Sequence, residues 1–175
     1  MLNSFQNIDN RILDFIENYL RFPLLDKIMT IITLTGNCGI VWSLLSIYLI
    51  HSDKYRMVGY RVIISLILTA IVGEGIIKHL IRRSRPFMKV NQGAILISKP
   101  ISYSFPSGHA ASSFSVAGVF IIQNSDMSIY ITSLALLIAF SRLYLKVHYP
   151  SDVLIGIILG LSCSIAVCSL FNIGV

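Results

Sequence analysis

Apolar residues run through this chain in long stretches separated by short polar breaks, without the two-residue alternation of half-buried strands. A helix advances about 1.5 Å per residue, so about 20 mostly apolar residues cross the hydrocarbon core with every backbone polar group satisfied internally. Five stretches meet that requirement: 28–50, 58–78, 107–122, 128–145 and 153–171. The third reaches full length only by taking in its polar flanks. The connections 51–57, 123–127 and 146–152 are short, which makes successive spans antiparallel neighbours in a bundle. Residues 79–106 form the one long loop.

Residues 1–27 follow a different pattern. Ile8, Ile12, Phe15, Ile16, Tyr19 and Leu20 recur at helical spacing, while Asp9, Arg11, Asp14 and Glu17 take the other positions. This predicts an amphipathic helix, either lying in the membrane interface or packed as a cap across the ends of the spans. The predicted fold is therefore all-α: an integral membrane helix bundle with five transmembrane helices and an N-terminal amphipathic interfacial helix, forming one domain over 1–175.

Composition supports this. The chain is 55% hydrophobic and 13% charged, with a mean hydropathy of +0.77, whereas soluble domains carry about a quarter charged residues. Any chemistry must be carried by the spans and their connections. Cys38, Cys163 and Cys168 lie in apolar runs with neither CxxC nor His-rich spacing, so they predict packing and neither disulfides nor a zinc site. No cleavable signal peptide is expected, since the first span itself can direct insertion. Tyr48, Tyr55 and Tyr60 near one boundary, with Tyr103, Tyr144 and Tyr149 near the other, fit two interfacial belts.

Charge distribution is more informative than the net charge of +6. From Gly75 to Ser125 there is no Asp or Glu, yet Lys78, Arg82, Arg83, Arg85, Lys89 and Lys99 fall there. An anion is expected at that loop. Nucleic acid is excluded, because no soluble module presents base-reading groups; lipid headgroups or phosphate esters fit. For Arg82, Arg83, Lys89 and Lys99, membrane anchoring is an equal alternative. Lys78 and Arg85 are seven residues apart, close to two helical turns, and project on nearly one face before Pro86 ends the helix. Glu74, one turn before Lys78, is an alternative partner for it at i,i+4.

Pro106-Ser107-Gly108-His109 opens the third span. A serine hydroxyl and unpaired N–H groups at a helix N-terminus attract phosphate, and Gly108 permits close approach; a simple N-cap is the bland alternative. His109, an ionisable group at the edge of an apolar span, is a functional candidate. The fourth span ends in Ser141-Arg142 and the fifth begins beyond His148-Tyr149-Pro150-Ser151-Asp152. Counting spans puts Lys78, Arg85, His109, Arg142, His148 and Asp152 at one membrane face. Asp152 is close enough in sequence to hydrogen-bond His148, which would set the imidazole tautomer and leave the other nitrogen as nucleophile or base.

Lys78-(six residues)-Arg85-Pro86, Pro106-Ser107-Gly108-His109 and Ser141-Arg142-(five residues)-His148-(three residues)-Asp152 resemble the three-part signature of the phosphatidic acid phosphatase type 2 superfamily, matching it at all eleven positions. The resemblance covers 78–152 and suits the compact bacterial membrane members. It implies a lipid phosphatase in which His148 attacks phosphorus, Asp152 orients it, and His109 protonates the leaving oxygen and then activates water. Lys78, Arg85, Ser107, Gly108 and Arg142 would hold the phosphoryl oxygens, with no metal or other cofactor. Many bacterial relatives have six spans, so one is expected to be missing here, leaving the N-terminus on the active-site side.

Undecaprenyl diphosphate is the expected substrate by analogy, with phosphatidylglycerophosphate, phosphatidic acid and lipid A phosphates as alternatives, and phosphoryl transfer to another lipid a further one. A catalytically silent lipid-binding or transport protein is the rival from another class; the presence of both His109 and His148 speaks against it. No obligatory protein partner is evident. The expected location is the bacterial inner membrane. Lys54, Arg56 and Arg61 mark the first connection as cytoplasmic and put the motif face outside. A count of all basic residues gives the opposite answer, and is discounted because several motif-face cations have a phosphate to bind.

Overall fold

Helices account for nearly all the regular structure, because a chain this apolar satisfies its backbone polar groups within each segment. The structure, a computed structural model, describes residues 2–88 and 102–172. Among these there are seven helices and no strand: α1 (Leu2–Tyr19), α2 (Pro23–Thr35), α3 (Ile40–Ile50), α4 (Arg56–Ile81), α5 (Gly108–Ile122), α6 (Ser128–Tyr144) and α7 (Pro150–Asn172). Lys89 and Lys99 lie outside the described residues.

The molecule is turned inside out relative to a water-soluble bundle. Ile71, Leu136, Leu154 and Ile158 are exposed on outer helix faces, while Ser46, Ser65, Ser113, Ser141 and Ser164 are buried between helices. Small polar residues let helices approach and hydrogen-bond across the contact, as where Trp42 Nε1 donates to Ser113 Oγ at 3.1 Å. This is a helical membrane protein. Helix α4 and residues Pro150–Phe171 of α7 are each long and apolar enough to cross the bilayer; α2 and α3 meet that test only as a pair bent by 50°, and α5 and α6 are shorter apolar helices.

The first expected span is thus not a continuous helix. Its run contains Thr35-Gly36-Asn37-Cys38-Gly39, where the chain makes a tight 3₁₀ turn at Asn37–Gly39 and Gly39 adopts φ 65°. That left-handed conformation is one a glycine takes without steric cost. Helix α1 also departs from its expected faces. Ile8, Ile12, Phe15 and Tyr19 are exposed, whereas Asp9, Leu13 and Ile16 are buried, and the helix packs against α6 and α7. A polar residue, Asp9, therefore lies on the inward face. The tyrosine belt at the motif face dissolves in part, since Tyr144 and Tyr149 are buried; the Tyr144 hydroxyl donates to Asp26 Oδ1 at 2.7 Å.

The most extensive packing joins α5 to α7. A Cβ on Gly160 would lie 2.3 Å from the Ala111 carbonyl oxygen, and one on Gly156 would lie 2.6 Å from that of Ser107. Two glycines one turn apart thus let α7 lie directly on the first turns of α5. The Ser107 N–H donates to the Asp152 carbonyl at 3.0 Å, which ties together the N-termini of the two helices that carry the second and third motifs.

Candidate active site

Four helix ends meet at one end of the bundle: the C-termini of α4 and α6 and the N-termini of α5 and α7. They surround a cavity of about 1010 Å³. Leu34, Ile63, Leu66 and Ile67 line its apolar part, and Lys78, Arg85, Gly108, His109, Arg142 and His148 its polar part. An apolar pocket with a few convergent polar groups is what a ligand site requires. Ser107 and Asp152 are fully buried behind the wall. All eight residues named from the sequence therefore line the cavity or lie against its lining.

His148 is 2% exposed. Its Nδ1 lies 2.7 Å from the Ser104 carbonyl oxygen and donates to it, while Nε2 faces the Arg85 Nη1 donor at 3.1 Å. The carbonyl can only accept, so it fixes the proton on Nδ1 and leaves Nε2 as the ring's lone-pair atom, which accepts from Arg85. Asp152 does not make the hydrogen bond expected of it: its Oδ2 is 3.8 Å from His148 Nδ1. It accepts instead from Ser104 Oγ at 2.5 Å, from the Tyr149 N–H at 2.9 Å and from Arg83 Nη1 at 2.6 Å. Asp152 thus holds the Ser104 segment, and that segment holds the imidazole.

Burial, only partly opposed by Asp152 and reinforced by repulsion from Arg85 and Arg142, pushes the His148 pKa down from 6.5 to about 4. The imidazole is then neutral through the neutral range and gains charge only as the pH falls through about 4. Isotope-edited NMR of the imidazole nitrogens should show the Nδ1-protonated neutral tautomer at pH 7, persisting well below the pH at which a free histidine titrates. A half-protonated ring at pH 6.5 would contradict this.

Arg85 does not continue the helix from Lys78. Helix α4 stops at Ile81, and Arg82 turns the chain with φ 47°. Arg85 reaches the site from the extended stretch that follows. Its guanidinium is fully committed to the Ser102 and Tyr103 carbonyls, the Ser102 hydroxyl, the Val147 carbonyl and His148. The same group therefore ties Ser102 and Tyr103 to the connection between α6 and α7 and supplies positive charge beside His148. Arg142 is buried, donates through Nη1 to Thr33 Oγ1, and has no partner for Nε among the described residues. His109 Nε2 lies 3.0 Å from Asn37 Oδ1. The ring lies over Gly36, where a Cβ would come within 2.7 Å of His109 Cδ2, so the break between α2 and α3 makes room for it. Lys78 Nζ lies 2.6 and 2.7 Å from the two carboxylate oxygens of Glu74, which realises the i,i+4 alternative.

Several contacts escaped the sequence reading, which placed Arg83 in the cationic loop without its partners. Arg83 donates to Asp152 and to Ser151 Oγ through Nη1, and to Asp9 Oδ2 and Gln6 Oε1 through Nη2, with its guanidinium 4.0 Å above the Tyr149 ring. Thr33, Asn37 and Ser104 hold Arg142, His109 and His148. Their neighbours are remote in sequence, so no local pattern marks them; the one visible signal was the Gly-Asn-x-Gly break in an apolar run. Among the described residues, no three His, Cys, Asp or Glu side chains gather as a metal site.

Residues 59–173 match the PAP2 superfamily. The chain belongs to that superfamily. It is 32% identical over 145 residues to a protein named undecaprenyl-diphosphatase from Sulfolobus acidocaldarius, spanning 82% of this chain and 69% of that one. It is 28% identical to a lipid A 4'-phosphatase from Bacteroides thetaiotaomicron, over 91% of this chain and 75% of the relative. Two crystal structures share its architecture, each with a TM-score of 0.79 at 27% identity. LpxE of Aquifex aeolicus is matched over 91% of this chain and 93% of its own, and the transmembrane PAP2 type phosphatidylglycerolphosphate phosphatase of Bacillus subtilis over 97% and 87%. This PAP2 protein is accordingly a membrane lipid phosphatase that hydrolyses phosphate esters.

Proposed function

We propose that the enzyme removes the terminal phosphate of undecaprenyl diphosphate through a phosphohistidine formed on His148. The observation that carries the mechanism is the orientation of His148, whose Nδ1–H is committed to the Ser104 carbonyl while Nε2 is directed to the cavity beside Arg85. Nε2 attacks phosphorus, the bond to the leaving lipid-phosphate oxygen breaks, and His109 supplies the proton that oxygen needs. His109 then takes a proton from water, which attacks the phosphohistidine and releases inorganic phosphate. Lys78 and Arg142, with Ser107 and the Gly108 backbone, stabilise the charge spread over the phosphoryl oxygens in a loose transition state, and Arg85 joins them by passing its N–H from His148 Nε2 to a phosphoryl oxygen as Nε2 attacks. Their positive charge does the work that a metal ion does elsewhere, so none is required.

The apolar part of the cavity suits a polyprenyl tail entering from the bilayer. Five membrane-crossing segments (the bent α2–α3 pair, α4, α5, α6 and α7), with α1 at the interface, form one domain over 1–175 in this reading. It places the protein in the bacterial inner membrane with the site on the extracytoplasmic side and no obligatory protein partner. The names of the relatives support a second substrate reading, a phosphatidylglycerophosphate or lipid A phosphate. Detergent-purified protein in excess EDTA is expected to release phosphate from undecaprenyl diphosphate faster than from those two lipids. Dependence on a divalent ion, or a clear preference for either alternative lipid, would overturn the corresponding part of the proposal.

A further inference from the structure

We propose that Glu74 is a resident anion of the phosphate subsite: its carboxylate fills the subsite in the free enzyme, yields it to the substrate's phosphoryl group, and returns as inorganic phosphate leaves. This rests on reading the cavity as a phosphate site. Glu74 is the one acid among the residues lining it, alongside Lys78, Arg85 and Arg142. Its two oxygens are both within hydrogen-bond distance of the buried Lys78 ammonium. A Cβ on Gly108 would lie 2.4 Å from Glu74 Oε1, so the carboxylate lies against the Ser-Gly-His turn where a phosphoryl oxygen would be held. A carboxylate and a phosphoryl group seek the same donors and cannot both have them.

The backbone around Glu74 is built for such an exchange. Residues Ile71–Ile77 form a wide π-helical stretch, and Gly73 and Gly75 flank the glutamate. Such turns recur at functional sites, and an acid inside an apolar span is costly unless it serves one. The Glu74 side chain is 48% exposed whereas its Lys78 partner is 5% exposed, so the carboxylate can swing out of the subsite while the ammonium stays. Without an internal anion, three cations around an empty cavity would repel one another and hold the product phosphate after turnover.

The test measures binding of inorganic phosphate and of orthovanadate to the full-length protein in detergent, alongside steady-state kinetics. Glu74→Gln keeps the shape and removes the charge. It should bind both anions about tenfold or more tightly than wild type, since a repulsion at contact distance is lost. KM should fall, and kcat should fall with it as phosphate release slows. Glu74→Ala should behave in the same direction. Glu74→Asp retains the charge on a shorter arm and serves where the neutral variants fail to fold; it should bind the anions more tightly than wild type by a smaller factor. Unchanged or weaker anion binding in the folded variants would overturn the inference and leave Glu74 as a support for Lys78. Failure of wild type and variants alike to bind either anion would instead refute the phosphate-site reading itself.

Discussion

His148→Ala is expected to abolish phosphate release, by about 10⁴-fold or more, because removing the proposed nucleophile removes the covalent route and leaves only binding and electrostatic stabilisation. The same variant should form no phosphoenzyme when a radiolabelled lipid phosphate is added and the reaction is quenched in base, where a phosphoramidate survives and a carboxyl phosphate does not. His109→Ala has a different signature. Formation of the phosphoenzyme slows because the leaving oxygen lacks its acid, and breakdown slows because water lacks its base, so the labelled intermediate persists. His148→Asn is the stricter control, since its amide can still donate to the Ser104 carbonyl while offering no equivalent lone pair to phosphorus. Retained turnover in His148→Ala, or labelled phosphoenzyme in that variant, would refute the proposed chemistry.

The same residues show what the sequence makes legible. The cationic loop, the Ser-Gly-His turn and the His-x₃-Asp spacing are local patterns, and each lies within a few residues of a helix end that hydropathy locates. Their convergence follows from counting antiparallel segments. The bend between α2 and α3 was legible in principle, because Gly36, Asn37 and Gly39 interrupt an apolar run, but a hydropathy window averages them away. The inward face of α1 was not legible. Asp9 reads as solvent-facing by type, and only its contacts with Ser151 and Arg83, 142 and 74 residues away, explain its burial. Nor does the His-x₃-Asp spacing reveal that a serine carbonyl intervenes: a partner four residues along is within reach of the imidazole, yet Ser104 from another segment takes the Nδ1 proton. Long-range polar contacts decide both cases, and they leave no periodic trace.

Arg83 is where those contacts concentrate, and Arg83→Ala should be the most damaging change outside the groups that face the phosphate. Asp152 has no exposed surface, and loss of Arg83 removes its ion-pair partner, a mechanism that typically costs about 3–5 kcal/mol for a buried charge left uncompensated. Ser104 Oγ and the Tyr149 N–H still reach Asp152, which puts the expected loss near the lower end, about 3 kcal/mol. Thermal unfolding in detergent should show it, and the double variant Arg83→Ala/Asp152→Asn should be less destabilised than the sum of its parts, because the second change removes the stranded charge. Activity should fall chiefly in kcat: the Asp152–Ser104 link that seats His148 loosens, whereas Lys78 and Arg142 are untouched. Arg83→Lys should recover only part of either loss, because a single ammonium cannot match the planar fork that serves Asp152 and Ser151 on one side and Asp9 and Gln6 on the other. Asp9→Asn then separates the two sides. It weakens the tie between α1 and the α7 N-terminus while leaving the Arg83–Asp152 pair formed, so it should cost stability with a smaller effect on kcat. Equal loss of kcat in Asp9→Asn and Arg83→Ala would mean that α1 itself seats the catalytic imidazole, and that the path through Asp152 has been assigned too much of the work.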